Sequence, residues 1–210
     1  MKKINFNKRY GLETAVIERR KPITRRMDKR LNHPLITHIS ELKIDNECKG
    51  YVTITYSTGL VENVYPQYQI QEEVAVAQSY RDIELEILSK GFPLDVNEEL
   101  QKSKGWSNKL FVRADLMPHR IRITDIRVER LQDISDEDCI KEGIEVEDFR
   151  SEYRWGFYTS FFTTNRGQGS RSVWFRSPRA AFAALIDRIS GRGTWDRNPW
   201  VWVYEFELIK

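Results

Sequence analysis

The sequence contains few cysteines and histidines, two and three, respectively, among its 210 residues. Cys48 and Cys139 are far apart, in no spacing that a zinc site or a thioredoxin-like motif uses, so we interpret both as structural thiols. The histidines are too few and too irregularly spaced to complete a metal site with them. No Walker or dinucleotide-binding glycine pattern occurs either. The sequence therefore predicts neither a bound metal nor a cofactor.

Long apolar runs are also missing. No stretch approaches the ~20 apolar residues needed to cross a bilayer, and charged residues make up 31% of the chain. The basic start, with Lys2 and Lys3, is followed by no apolar segment of the kind that secretory signals contain. We therefore expect a cytoplasmic protein that makes no contact with a membrane.

Positive charge is distributed unevenly. The net charge is +3, but residues 1–30 hold eleven lysines and arginines against three acidic residues. Such a segment attracts polyanions through counterion release, which makes nucleic acid a candidate partner. A basic surface segment without any ligand explains the same charge.

The hydrophobic patterning predicts more strands than helices. We expect a hairpin over residues 51–64, strands over 73–78, 109–113, 120–131 and 200–208, and helices over 9–20, 135–142 and 177–189. The buried positions of 120–131 change parity, which predicts a bulge near Thr124-Asp125. Residues 145–176 show no clear element, and 165–172 read as a mobile loop. The pattern indicates an α+β domain, with a mixed sheet or small barrel and helices at its ends.

Aromatic side chains occupy the even positions of the final strand, from Trp200 to Phe206. One interpretation places them in the core as the buried face of the strand. The other uses them, with Trp195, as a platform on which bases stack beside positive charge.

A lysine and a hydroxyl three residues later stand among arginines at the end of the first helix. Lys21 precedes Thr24, and Arg19, Arg20, Arg25 and Arg26 surround the pair. Neighbouring positive charges lower the pKa of a lysine, which would let Lys21 act as a base for a Thr24 nucleophile. The alternative is a helix end followed by a solvated basic strand.

Glu142 is expected in the last turn of the helix over 135–142. The helix dipole disfavours a negative charge there, which makes Glu142 a candidate proton shuttle. The alternative is an ordinary exposed glutamate.

Four blocks of the chain resemble the ASCH domain. They are the helix leading into Lys21-x-x-Thr24-x-Arg26, the strand Val74-Ala75-Val76, the segment Leu131-Gln132-Asp133-Ile134 with the short helix to Glu142-Gly143, and the final Val203-Tyr204-Glu205-Phe206-Glu207-Leu208. The chain is most similar to the larger ASCH-like proteins of phages and prophages. The blocks cover residues 6–26, 73–80, 108–144 and 177–209, so we expect one domain over 1–210 with insertions at 31–70 and 145–176.

The resemblance implies a PUA-like β-barrel, in a superfamily associated with binding RNA or modified nucleobases. Small ASCH amidohydrolases remove the acetyl group from N4-acetylcytidine with a lysine, a threonine and a glutamate, which by similarity are Lys21, Thr24 and Glu142. Thr24 would attack the amide carbonyl with Lys21 as base, and Glu142 would relay a proton to the leaving amine. Arg20, Arg25, Arg26 and Gln78 are the residues we expect to bind substrate.

The chain departs from the family pattern at several positions of this expected site. Arg19 replaces the usual glycine, Pro22 replaces a frequent threonine, and Ala77-Gln78 replaces a frequent Arg-Glu. A fold can persist after its chemistry is lost. A non-catalytic phage or prophage accessory protein that acts through protein contacts is therefore the alternative function.

Overall fold

The computed structural model describes residues 1–91, 98–149, 152–164 and 167–209. Its class is α+β, as the patterning predicts. The strands are β1 Lys2–Ile4, β2 Ile23–Met27, β3 Ile36–Ile39, β4 Lys43–Ile44, β5 Gly50–Tyr56, β6 Val61–Val64, β7 Glu73–Val76, β8 Arg120–Arg130, β9 Glu145–Phe149, β10 Glu152–Thr164, β11 Gly167–Phe175 and β12 Trp200–Leu208. The α-helices are α1 Leu12–Ile17, α2 Tyr80–Ser89, α3 Glu98–Lys102, α4 Asp136–Lys141, α5 Pro178–Ser190 and α6 Thr194–Arg197.

The largest sheet has the strand order β1-β7-β8-β12-β2. Its first two strands are parallel, and every other pair of neighbours is antiparallel. No pairing among the described residues joins the β1 and β2 edges, so the sheet is not a closed barrel there. This order places the basic segment β2 beside the C-terminal strand β12.

The bulge predicted near Thr124-Asp125 is confirmed. Glu205 of β12 pairs with Asp125 and the next residue, Phe206, pairs with Ile123, so Thr124 has no partner in the ladder. Because of this extra residue, the side chains of Ile123 and Ile126 both point into the core, and both are buried.

A second group of strands follows β2. The predicted hairpin over 51–64 is confirmed, since β5 and β6 are antiparallel partners. Strands β3 and β4 pair with β5 as well. All four strands lie within the segment 31–70.

Three predictions of secondary structure are wrong. Residues Lys109–Phe111 form a 3-10 helix where we expected a strand, because the Asn108 side chain accepts a hydrogen bond from the Leu110 amide and starts a turn. In 145–176, strands β9, β10 and β11 form an antiparallel sheet where we expected no element. The loop predicted over 165–172 is a strand from 167 onward, and residues 165 and 166 lie outside the described part of the chain.

The predicted helices near 135–142 and 177–189 are confirmed, with serine caps at their starts. The side chains of Ser135 and Ser177 accept hydrogen bonds from the amides of Asp138 and Ala180. Helix α5 begins with a proline and ends at Gly191. Its residues Ala181, Phe182 and Leu185 are buried in the core, where the helix contacts α4, β10 and β11, whereas Ile189 remains exposed.

The aromatic face of β12 lies mostly in the core. Trp202, Tyr204 and Phe206 are buried, but Trp200 is only partly so. The opposite face also contributes Val201 and Val203 to the core. Among the described residues, no helix has both the length and the apolar character that a membrane span requires.

Candidate functional site

The turn after α1 delivers Lys21 to the interior. The amides of Arg20 and Lys21 both donate to the carbonyl of Ala15, at 2.8 and 3.0 Å, and so close the helix tightly. Arg19 adopts a left-handed conformation with φ 62°. The chain then becomes extended at Pro22, whose carbonyl accepts from the Phe206 amide at 2.8 Å.

Lys21 and Glu142 form a buried ion pair. The Lys21 ammonium donates to the Glu142 carboxylate, to the Glu142 carbonyl at 2.7 Å and to the Ile23 carbonyl at 2.9 Å. The side chains of the pair are 1% and 6% exposed. All three ammonium protons therefore have acceptors.

Gly143 allows this close approach. It has φ 99°, and a Cβ there would lie 3.1 Å from Leu12 and 3.5 Å from Cδ of Lys21. A larger residue would be strained by the positive φ and would press on the lysine side chain.

Burial lowers the pKa of Lys21 below its ordinary value. Loss of water around the ammonium outweighs the attraction of Glu142, and the charges of Arg25 and Arg26 act in the same direction as burial. The neutral amine form is therefore populated at a lower pH at Lys21 than at an exposed lysine.

Arg25 connects the ion pair to a wider set of acids. Its guanidinium lies 3.3 Å from the Glu142 carboxylate and donates to Glu129 at 2.7 Å and to Asp138 at 2.8 Å. Arg127 also contacts Glu129 and Asp138. This network ties β2, β8 and α4 together behind the pair.

A cavity of about 640 Å³ opens in front of the pair. Its polar and charged walls come from Asn5, Asn7, Lys8, Arg9, Lys21, Thr24, Arg25, Arg26, Lys109, Glu142 and Ser190. Its apolar walls come from Phe6, Leu12, Met27, Leu131, Phe182, Leu185, Ile186, Ile189 and Val201. Glu142 is the one acidic residue among these lining residues, so cationic groups predominate.

Thr24 lies in the wall of this cavity and is buried. Its backbone pairs with Tyr204 of β12, which fixes the direction of its side chain. The Thr24 hydroxyl makes no hydrogen bond within the described part of the chain. The structure thus brings Lys21, Thr24 and Glu142 to one cavity, with a direct bond between the first and last but not between Lys21 and Thr24.

Arg26 lacks a carboxylate partner. Its guanidinium donates to the Asn5 carbonyl and lies 5.3 Å from the centre of the Phe6 ring, but no described acid is within ion-pairing distance. Burial lowers the pKa of Arg26, although an arginine remains protonated at neutral pH. The buried Nε of Arg26 and the buried Oδ1 of Asn5 have no hydrogen-bond partner among the described residues.

Arg20 and Gln78 do not line the cavity. Arg20 is exposed and pairs with Glu18 at 2.7 Å and with Glu145 at 2.9 Å. Gln78 is buried and donates to Glu86 at 3.3 Å. The other two expected substrate-binding residues, Arg25 and Arg26, do line it.

Several lining residues carried no functional signal in the sequence. Asn5 and Phe6 follow an edge strand and carry no motif of their own, and we expected Lys109 to lie in a strand. Lys109 donates to Glu13 at 2.6 Å and to the Phe6 carbonyl at the rim. The α5 wall was recognisable only as an apolar helix face.

Comparison of the chain with protein-family models, with curated proteins and with solved structures found no match. The similarity to the ASCH domain therefore depends on the sequence blocks described above.

Proposed function

We propose that this chain is an ASCH-type protein that recognises RNA or a modified nucleoside in the cavity in front of Lys21. The proposal rests on one observation: the donor Arg26 Nε and the acceptor Asn5 Oδ1 are buried and have no hydrogen-bond partner among the described residues. Each unpartnered buried polar group costs about 1–3 kcal/mol, which a ligand with matching groups would recover.

The chemistry of these two atoms selects the ligand. Arg26 supplies a charged donor and Asn5 supplies an acceptor, and the Arg26 guanidinium donates to the Asn5 backbone, so the two residues are neighbours. A nucleobase edge or an exocyclic amide presents the complementary acceptor and N–H donor side by side. The cationic lining adds attraction for phosphate, and the α5 wall provides an apolar surface for a ring or an acyl group.

Binding is tested by isothermal titration with N4-acetylcytidine and with a short RNA. We expect Arg26→Gln to weaken binding of both by about ten- to a hundredfold, because one charged hydrogen bond is worth ~1.5–3 kcal/mol. Arg19→Gln is the matched control, since Arg19 is exposed and does not line the cavity. Absence of binding to wild-type protein at low salt would overturn the proposal.

Hydrolysis of an N-acyl amide is a second candidate function, favoured by the Thr24 hydroxyl, which makes no hydrogen bond to any described residue. The Lys21–Glu142 pair first moves one proton from the ammonium to the carboxylate, and Nζ turns toward Thr24. Thr24 Oγ1 bonds to the amide carbon and gives its proton to Lys21, while Arg26 stabilises the oxyanion. Glu142 protonates the leaving nitrogen as the C–N bond breaks.

Water then cleaves the acyl–threonine ester. One water proton goes to Glu142, the hydroxide forms the acid product, and Lys21 reprotonates Thr24 Oγ1. The proton on Glu142 then returns to Lys21, so the site regains its starting ion pair.

The test follows cytidine release from N4-acetylcytidine by wild type, Thr24→Val and Thr24→Ser. Valine removes the hydroxyl at nearly constant volume, so turnover should fall by about a hundredfold or more with binding retained, and serine should restore part of it. Turnover by Thr24→Val equal to that of wild type would exclude the nucleophile, and no turnover by any form would leave only the binding proposal.

A further inference from the structure

A second cavity, of about 520 Å³, lies at the start of β12. Its walls are Leu31, Asn32, His33, Pro34, Ile36, Arg130, Arg197, Pro199 and Trp200. No acidic residue is among them, and two are arginines. The cavity is therefore positively charged.

Arg130 and Trp200 form a stacked pair in this cavity. They are cross-strand partners of β8 and β12, and the guanidinium carbon lies 4.5 Å from the centre of the Trp200 ring. Arg130 is exposed, donates to the Asn198 carbonyl at 3.1 Å and has no ion pair with a carboxylate in the described ranges. Most of its five N–H donors are therefore available to a ligand.

The backbone beneath the stack is held rigidly. The Asn32 side chain accepts from the Trp200 amide at 2.7 Å and donates to the Trp200 carbonyl at 2.8 Å. Asn198 takes a left-handed conformation with φ 45°, and its side chain accepts from the Gln132 amide at 2.8 Å. A ligand here would meet a site whose shape is already formed.

Arg197 supplies the second cation. Its guanidinium donates to the Thr194 hydroxyl at 2.8 Å, and no described carboxylate lies within ion-pairing distance of it. A flat cationic surface next to a second, separate positive charge matches a nucleotide, whose base stacks and whose phosphate is an anion.

The two cavities are lined by neighbouring residues of β12. Val201 lines the first and Trp200 lines the second. The edge strand β2 contributes Met27 to the first cavity, and Leu31, four positions later, lines the second. The two cavities are therefore close enough for one nucleic acid strand to contact both.

We propose that the second cavity binds a nucleotide of a single nucleic acid strand, with the base on the Arg130–Trp200 stack and the phosphate at Arg197. This inference rests on the proposed function in one respect: the first cavity receives another nucleotide of the same strand. The preferred ligand is then an oligonucleotide rather than a free nucleoside.

The experiment measures fluorescence anisotropy of a labelled oligouridylate of about twelve nucleotides at low salt. Arg130→Gln should weaken binding about tenfold, since stacking is worth ~1–3 kcal/mol per base. Arg130→Lys retains the charge but not the planar stack, so its affinity should lie between those of wild type and Arg130→Gln. Arg197→Gln should lower the slope of log affinity against log salt by about one.

Arg192→Gln is the control, because Arg192 is an exposed arginine near Arg197 that does not line the cavity. Equal affinity of Arg130→Gln, Arg197→Gln and Arg192→Gln would overturn the second site, as would competition by duplex RNA as effective as that by the single strand. The same oligonucleotide in DNA form distinguishes recognition of RNA from recognition of any single strand. A preference for either strand over the duplex supports the site.

Titration of the same proteins with N4-acetylcytidine separates the two proposals. The nucleoside should bind Arg130→Gln as it binds wild type, because Arg130 does not line the first cavity. If the nucleoside binds normally and the Arg130 and Arg197 variants bind oligouridylate as tightly as wild type does, only the second site is overturned. Loss of oligouridylate binding on Arg130→Gln supports the second site. If wild type also binds no nucleoside and Arg26→Gln binds oligouridylate as wild type does, the same result overturns the proposed function.

Discussion

The Lys21 ammonium donates to the carboxylate of Glu142, which lies 121 positions later in the chain. Arg25 lies 3.3 Å from the other carboxylate oxygen, so one buried carboxylate pairs with two buried cations. Glu142 is thus the residue on which the charge balance of the site depends. An unpaired charge in such surroundings is strongly destabilising.

We predict that Glu142→Gln lowers the free energy of unfolding by about 3–5 kcal/mol, the usual cost of breaking a buried pair. Lys21→Met should cost less, because Glu142 retains Arg25 as a partner whereas Glu142→Gln leaves Lys21 with carbonyl acceptors only. Urea unfolding of the two variants measures both values. Equal losses in the free energy of unfolding would show that Arg25 does not stabilise the Glu142 carboxylate once Lys21 is removed.

Glu18→Gln is the control for this comparison. Glu18 pairs with Arg20 at 2.7 Å, but their side chains are 53% and 43% exposed. A pair in water contributes at most ~1 kcal/mol. A loss at Glu18 as large as that at Glu142 would mean that burial is not the cause.

The lowered pKa of Lys21 predicts a pH dependence of stability. Between the folded-state pKa and the ordinary lysine value of about 10.4, the unfolded chain binds more protons than the folded chain. Stability from this group therefore rises as pH increases through that window and is lost as pH falls toward the folded-state pKa. Urea unfolding of wild type relative to Lys21→Met, measured from pH 7 to 10, should show this gain. A difference that stays constant or falls would contradict it.

Local patterns in the sequence predicted much of the large sheet. The parity change in 120–131 located the bulge at Thr124, and the serines at 135 and 177 located two helix starts, because caps and parity are local properties. The sheet of β9, β10 and β11 had no such local signal. Its strands are defined by pairing with each other, and Phe157 packs into the core through contacts distant in sequence.

The candidate site, like the fold, could be predicted only where a local sequence pattern marks it. The sequence named Lys21, Thr24 and Glu142 as candidates, but the direct bond between Lys21 and Glu142 depends on how β2 and α4 meet. The lack of a described partner for Arg26 Nε likewise depends on how β2 meets the N-terminal segment. No sequence pattern identified Asn5, which lines the cavity from a segment 21 positions before Arg26.

The two cysteines should differ in reactivity. Burial raises the pKa of the Cys139 thiol to about 12, whereas Cys48 is exposed. The thiolate is the reactive form, so only Cys48 should react rapidly with a thiol reagent at pH 8. We expect Cys48→Ser to abolish the fast phase and Cys139→Ser to leave it unchanged. Two fast thiols in folded wild-type protein would contradict the burial of Cys139.

Asn5→Asp should stabilise the fold while blocking the first cavity. The Asn5 carbonyl already accepts from the Arg26 guanidinium, so a carboxylate on residue 5 would lie beside this buried cation, which has no acidic partner among the described residues. A charge-assisted bond of this kind contributes ~1.5–3 kcal/mol, so the unfolding midpoint in urea should rise. The same negative charge would repel phosphate and replace the ligand at Arg26, so affinity for N4-acetylcytidine and RNA should fall. Asn7→Asp is the control, since Asn7 also lines the cavity but has no unpartnered buried atom. If Asn5→Asp bound either ligand as tightly as wild type, Arg26 would not be the group that receives it.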